Sequence, residues 1–168
     1  MSHGLAEDSA RPGAPIFPEP ATGVTRHAGA PVDLETEIPL LLHNAAGLAR
    51  QHGCRLEFAV QPHLSVAVQH WIFRAAMREF LRQAIARAHS CVLVGAQRHA
   101  GRVKITVSDD GSGVAGALHE IYAAIQPLAT QGATTQVESR PGRGTTLVLT
   151  LPDGSAVAAS EPAAGYRT

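Results

Sequence analysis

Two glycine-punctuated turns, about thirty residues apart, constrain this chain more than any other feature. The first follows the alternating run Val103-Lys104-Ile105-Thr106-Val107-Ser108 and reads Asp109-Asp110-Gly111-Ser112-Gly113-Val114. The second, Arg140-Pro141-Gly142-Arg143-Gly144, joins Val137-Glu138-Ser139 to Thr145-Thr146-Leu147-Val148-Leu149-Thr150-Leu151. Alternation with a period of two predicts strands, each with one buried face. A strand that ends in a carboxylate and two glycines can offer one buried acceptor while its backbone comes close to a flat ligand. The same residues also suit ordinary tight turns with a capping aspartate, and the residues alone leave both readings open.

The rest of the chain fills in around these turns. Asp33 is a candidate N-cap for a helix from Leu34 to about His52, with Glu37 near the positive end of its dipole. Ile38, Leu41, Leu42, Ala45, Leu48 and Ala49 form its apolar stripe, Pro39 lies near its start and Gly53 stops it. Arg55 to Val60 alternates as a strand, and Pro62 ends it. A long helix is predicted from about Ala67 to Ala88, with Arg74, Arg78, Arg82 and Arg87 pointing away from its apolar side. Cys91–Ala96 and Arg102–Ser108 read as a hairpin across the polar link from Gln97 to Gly101. Leu118 to about Gln131 is a third helix, with Ile121, Ala124, Ile125 and Leu128 inward and Pro127 as a kink. Strands Ala133–Ser139 and Thr145–Leu151 follow.

Several strand connections are too short for a crossover, so an all-parallel sheet is excluded. The expectation is an α/β (α+β) two-layer sandwich, a mixed, largely antiparallel sheet with helices on one face. Residues 1–30 and 153–168, rich in Pro, Gly and Ala, read as a flexible leader and a disordered tail around a domain at 31–152.

Composition narrows the function. Basic and acidic residues balance at 14 each, so no charge field points to nucleic acid. No stretch approaches eighteen uninterrupted apolar residues and no secretory signal is visible, which leads to the expectation of a cytoplasmic protein without a membrane partner. Cys54 and Cys91 lack disulfide or zinc spacing and read as small buried or near-surface thiols. The nine histidines are scattered, with no metal spacing.

Element order and the two turns together resemble the Bergerat-fold (GHKL) ATPases, most closely the catalytic domain of bacterial histidine kinases, from about Val32 to Pro152. Asp109, Gly111 and Gly113 match the family's Asp-x-Gly-x-Gly box, and Gly142, Gly144 and Thr145 match its Gly-x-Gly-Thr box. The resemblance implies that Asp109 accepts from the adenine amine of ATP or ADP, that the glycines let the backbone pass the base, and that Thr145 holds the adenine edge. Where the family carries a magnesium-binding Asn on its long helix, Glu79-Phe80-Leu81-Arg82-Gln83-Ala84 places Gln83. The extra methylene moves the amide oxygen by about 1.5 Å, which suits octahedral magnesium at about 2.0–2.1 Å poorly. Glu79 takes the family's general-base position, or is simply a helix carboxylate among arginines. The family's glycine-rich lid is reduced here to Gly116 before Leu118.

A site short of its metal ligand and phosphate cradle lacks the electrostatics that drive phosphoryl transfer. The resemblance therefore implies a degenerate kinase-like module (a pseudokinase) in two-component signal transduction, with weak or no ATP turnover. Its partners would be proteins: a response regulator, a kinase or a second copy of itself. The alternatives are a working ATP-dependent kinase, either a stand-alone histidine kinase catalytic domain or an anti-sigma-type serine kinase, and a scaffold in which Asp109 only caps its turn. His43, on the first helix, lacks the residues of the family's phosphoacceptor motif and reads as a surface histidine.

Overall fold

The computed structural model describes residues 30–113 and 118–155. The expected leader, the tail beyond 155 and Gly116 lie outside the described residues. The elements run β1 (Val32–Asp33), α1 (Leu34–Gln51), β2 (Arg55–Val60), β3 (Ser65–Val66), α2 (His70–Arg87), β4 (Cys91–His99), β5 (Arg102–Asp109), α3 (Leu118–Ala129), β6 (Thr134–Arg140) and β7 (Gly144–Pro152).

Local chemistry explains most of these boundaries. Asp33 caps α1, accepting from the Glu35 amide at 3.2 Å and the Thr36 hydroxyl at 2.7 Å. Gly53, at φ +66°, turns the chain out of α1, and the Cys54 amide closes the turn on the Ala49 carbonyl at 2.9 Å. The β4–β5 hairpin is tighter than its sequence suggests. Both strands run on to His99 and Arg102, leaving Ala100 and Gly101, both at positive φ, as a two-residue turn that matches the twist of the strands.

Helix α2 begins at His70, later than its periodicity predicts. The preceding residues are used otherwise: Ser65–Val66 pairs with β1, and the Ala67 amide donates to the Pro152 carbonyl at 3.0 Å. The short strands β1 and β3 are too brief to leave an alternation in the sequence.

The main sheet has the order β2-β4-β5-β7-β6, with β2 and β4 parallel across the α2 crossover and the other pairs antiparallel. Val103, Ile105, Val107 and Asp109 of β5 turn one way, under the helices. Phe73, Met77, Leu81 and Ile85 of α2 are almost fully buried against that face, joined by Leu34 and Ile38 of α1 and Ile121 and Leu128 of α3. Burying one such side chain contributes roughly 1.5–3 kcal/mol. The expected two-layer sandwich is the observed one. No helix among the described residues is long and apolar enough to cross a membrane. Asp153 bonds Arg98 at 2.6 Å, so the chain is held to the sheet a little beyond β7.

Register decides what meets at the end of the sheet. Asp109, the last residue of β5, stands opposite Thr145 of β7, while Arg140 faces Gly144 across the β6–β7 turn. Both glycine turns thus share one edge, next to the C-terminal end of α2.

Candidate nucleotide site

The two turns are bonded to each other: the Gly142 amide donates to the Ser112 carbonyl at 3.2 Å. Asp109 Oδ1 accepts from the Gly111 amide at 3.1 Å, which tightens the first turn. A Cβ on Gly111 would stand 2.0 Å from the Arg87 carbonyl oxygen, and one on Gly144 would stand 1.8 Å from the Asp109 carbonyl oxygen. These glycines are therefore required where protein backbone meets protein backbone. Gly113 (φ +95°) lies against Ser139 and Arg140, whereas Gly142 (φ +70°) faces open space. Thr145 is buried, its hydroxyl 3.3 Å from that of Ser139.

The Asp109 side chain is 1% exposed, and its second oxygen accepts from Arg87 Nη2 at 3.1 Å. This corrects the sequence expectation for Arg87, which places it with the outward-pointing arginines. Its side chain is only 14% exposed and lies over the end of β5. The correction has a simple cause. Residue 87 is in the last turn of α2, where the helix passes over the sheet edge, and the buried carboxylate there draws the guanidinium inward.

Gln83 is joined to the same group. Its amide oxygen accepts from Arg87 Nη1 at 3.4 Å, and its NH2 donates to Glu79 Oε1 at 3.0 Å and, in a shorter contact, to Glu120 Oε2 of α3. Glu79 is held in addition by both arms of Arg82, at 2.6 and 2.9 Å. Those bonds from Arg82 keep the Glu79 carboxyl below the usual range, burial opposing the shift less strongly. Such a carboxylate is a weak proton acceptor, in keeping with a helix carboxylate among arginines. The chain Glu79–Gln83–Arg87–Asp109 thus joins three candidate residues through an arginine.

Asp110, the unassigned middle residue of the first box, has a structural task. Its Oδ1 accepts from the amides of His89, Ser90 and Cys91 at 2.9–3.1 Å, and its Oδ2 from the Ser90 hydroxyl at 2.5 Å. These bonds, led by those of Ser90, hold its carboxyl far below the normal aspartate range. An acidic residue directly after a strand and beside a helix–strand junction was the available signal for it. Burial pushes the thiols of Cys54 and Cys91 up, consistent with small unreactive side chains.

A two-layer sandwich with a carboxylate and paired glycine turns at one sheet edge defines the class: the histidine kinase-type ATPase fold. Solved structures bear this out. Full-length ShkA in complex with AMPPNP superposes with a TM-score of 0.67 at 22% identity over 78% of this chain, which spans only 32% of that protein. The histidine kinase AdeS of Acinetobacter baumannii gives 0.64 at 12% identity, over 73% of this chain and 66% of its own. The nucleotide-free catalytic domain of the histidine kinase ThkA gives 0.64 at 13% identity, over 73% of this chain and 94% of that domain. No protein-family model and no curated protein matches the sequence. The chain has the fold of a histidine kinase catalytic domain.

Proposed function

We propose that this chain is a kinase-like ATPase-fold module of bacterial signal transduction whose nucleotide site is closed from within and whose output is protein contact. The working unit is residues 31–152 with the clasp at Asp153. It works in the cytoplasm, and its partner is a response regulator, a kinase or a second copy of the chain.

One observation carries this reading: the Arg87 guanidinium bonds both Asp109 and Gln83. The acceptor that an adenine amine would need is buried and engaged. The amide oxygen that magnesium would need faces a cation instead, so the residues present do not fit the metal. Glu79, tied to Arg82, is poorly placed to take a proton. The four residues between Gly113 and α3 hold a single glycine, Gly116, which supports the same reading, because a triphosphate cradle is built from the backbone donors of a glycine-rich run.

A second reading, an ATP-binding kinase domain, draws on Asp109, Gly111, Gly113, Gly142, Gly144 and Thr145 sharing one sheet edge, and on the AMPPNP bound by the similar ShkA. Isothermal titration with ATP and ADP, with and without magnesium, separates the two. The closed-site reading expects no saturable binding at micromolar nucleotide and no radiolabel transfer to protein. Magnesium-dependent micromolar binding with transfer would establish the second.

A further inference from the structure

The helix layer carries a groove that borders the kinase-type site and extends away from it. It runs between α1 and α2 with a volume of about 770 Å³. Leu41, Ala45 and Leu48 of α1, at successive turns of one face, supply an apolar wall, and Ala75 and Leu81 of α2 complete the floor. Arg74, Arg78 and Arg82 follow one another at four-residue spacing along the other rim. Glu79 is the single carboxylate among the lining residues.

These arginines are not equivalent. Arg74 is drawn onto buried Glu37, and Arg82 onto Glu79 and Glu120. Arg78 is exposed and makes no ion pair with any described residue. Its charge is therefore free for a visitor. One turn before Ala75 on the same stripe stands Trp71, 68% exposed. A large aromatic left in water beside an apolar trough and an unpaired arginine is the composition of an interface centre.

From this arrangement we infer that the α1–α2 groove docks an acidic amphipathic helix of a partner protein. An apolar face with anchors at i, i+3 or i+4, and i+7 fits a trough between two helices. Glutamates or aspartates flanking that face meet the arginine rim, and a basic helix is repelled there. The inference rests on the reading of protein contact as the module's output, and it names the surface. Arg82 lines the groove and also bonds Glu79 and Glu120, so the docking face borders the closed site directly.

The test uses the full chain and a blocked synthetic helix with leucines at i, i+3/i+4 and i+7 and glutamates at the remaining positions. A control peptide carries lysine for every glutamate. Trp71 is the sole tryptophan and stands one turn from Ala75 of the groove, so its emission responds to a helix seated there, with amide NMR shifts to map the contact. The expected result is saturable binding of the acidic peptide, with shifts confined to residues 41–48 and 71–82. Arg78→Glu should weaken it at least about tenfold with an unchanged far-ultraviolet circular dichroism spectrum. The lysine peptide should not bind. Equal binding of both peptides, no saturable change, or a sedimenting dimer dispersed by Arg78→Glu would each overturn the proposal. Magnesium-dependent ATP binding by the same samples would instead defeat the closed-site reading and leave the groove standing.

Discussion

Replacing Arg87 by methionine is the most direct challenge to the closed site. The change keeps an unbranched apolar stem and removes the guanidinium that spans Asp109 and Gln83. Breaking a buried ion pair by deleting one partner typically costs about 3–5 kcal/mol. The pair here has one hydrogen bond rather than two, and Arg87 keeps some contact with water, so the low end applies: about 3 kcal/mol. For a folded unit of about 125 residues that corresponds to a melting temperature lower by roughly 10 °C. Asp109→Asn should cost less, about 1 kcal/mol, because the partially exposed arginine can turn toward water. The double variant should lose about 2 kcal/mol, less than the two single losses combined, which is the mark of direct coupling. Urea denaturation followed by far-ultraviolet circular dichroism reads all three. The same variant probes the nucleotide site. ADP at about a hundred times its dissociation constant would stabilise a binding protein by about 2.7 kcal/mol. With a site closed by Arg87, that gain is expected in Arg87→Met alone. A loss under about 1 kcal/mol, additive single losses, or an equal ADP shift in the unaltered chain would refute it.

The glycines of the two boxes should separate by geometry. Gly111→Ala and Gly144→Ala drive a Cβ into backbone carbonyls at 2.0 and 1.8 Å and should each cost more than about 3 kcal/mol without any ligand, whereas Gly142→Ala meets open space and should cost about 1–2 kcal/mol for its positive φ alone. Thermal melts distinguish them, and similar small losses at all three would contradict the packing described. Asp110→Asn should lower the unfolding free energy read from urea titration at neutral pH by about 1 kcal/mol, comparable to a lost cap. Because the folded carboxyl lies below its unfolded value of about 3.9, that stabilisation is complete above pH 4 and is lost as the pH falls through the lower folded value, so the gap between Asp110→Asn and the unaltered chain should close in acid. Burial pushes the Glu37 carboxyl up, but bonds from Arg74 and His70 more than offset this and hold it below its ordinary range. Glu37→Gln should cost about 2 kcal/mol at pH 7 in urea titrations, the partly exposed Arg74 being able to recover water, and this difference too should shrink below about pH 4.

Much of the architecture was legible from short-range patterns. The Asp33 cap, the Gly53 stop and the alternation of β5 and β7 are decided within a few residues, and the structure holds all of them. Errors fell where longer-range contacts compete with periodicity: Ser65–Val66 became a strand because β1 lies beside it, and α2 opened three residues late because Ala67 is bonded to Pro152. The hairpin turn shortened to Ala100–Gly101 because cross-strand pairing persisted through His99 and Arg102.

The candidate site divides along the same line. The two glycine turns and the carboxylate at the end of β5 are properties of the chain read in order, since strand period and the steric freedom of glycine act locally. What those residues face is a property of space. Arg87 and Asp109 are 22 positions apart, and Gln83 and Glu120 are 37 apart. Only the docking of α2 over the sheet edge and of α3 against α2 brings each pair within hydrogen-bond reach. Sequence therefore determined a kinase-type frame with a carboxylate acceptor at the end of β5. Tertiary packing decided that an arginine, rather than open solvent, lies against that acceptor, because a buried charge takes whichever counter-charge the fold delivers.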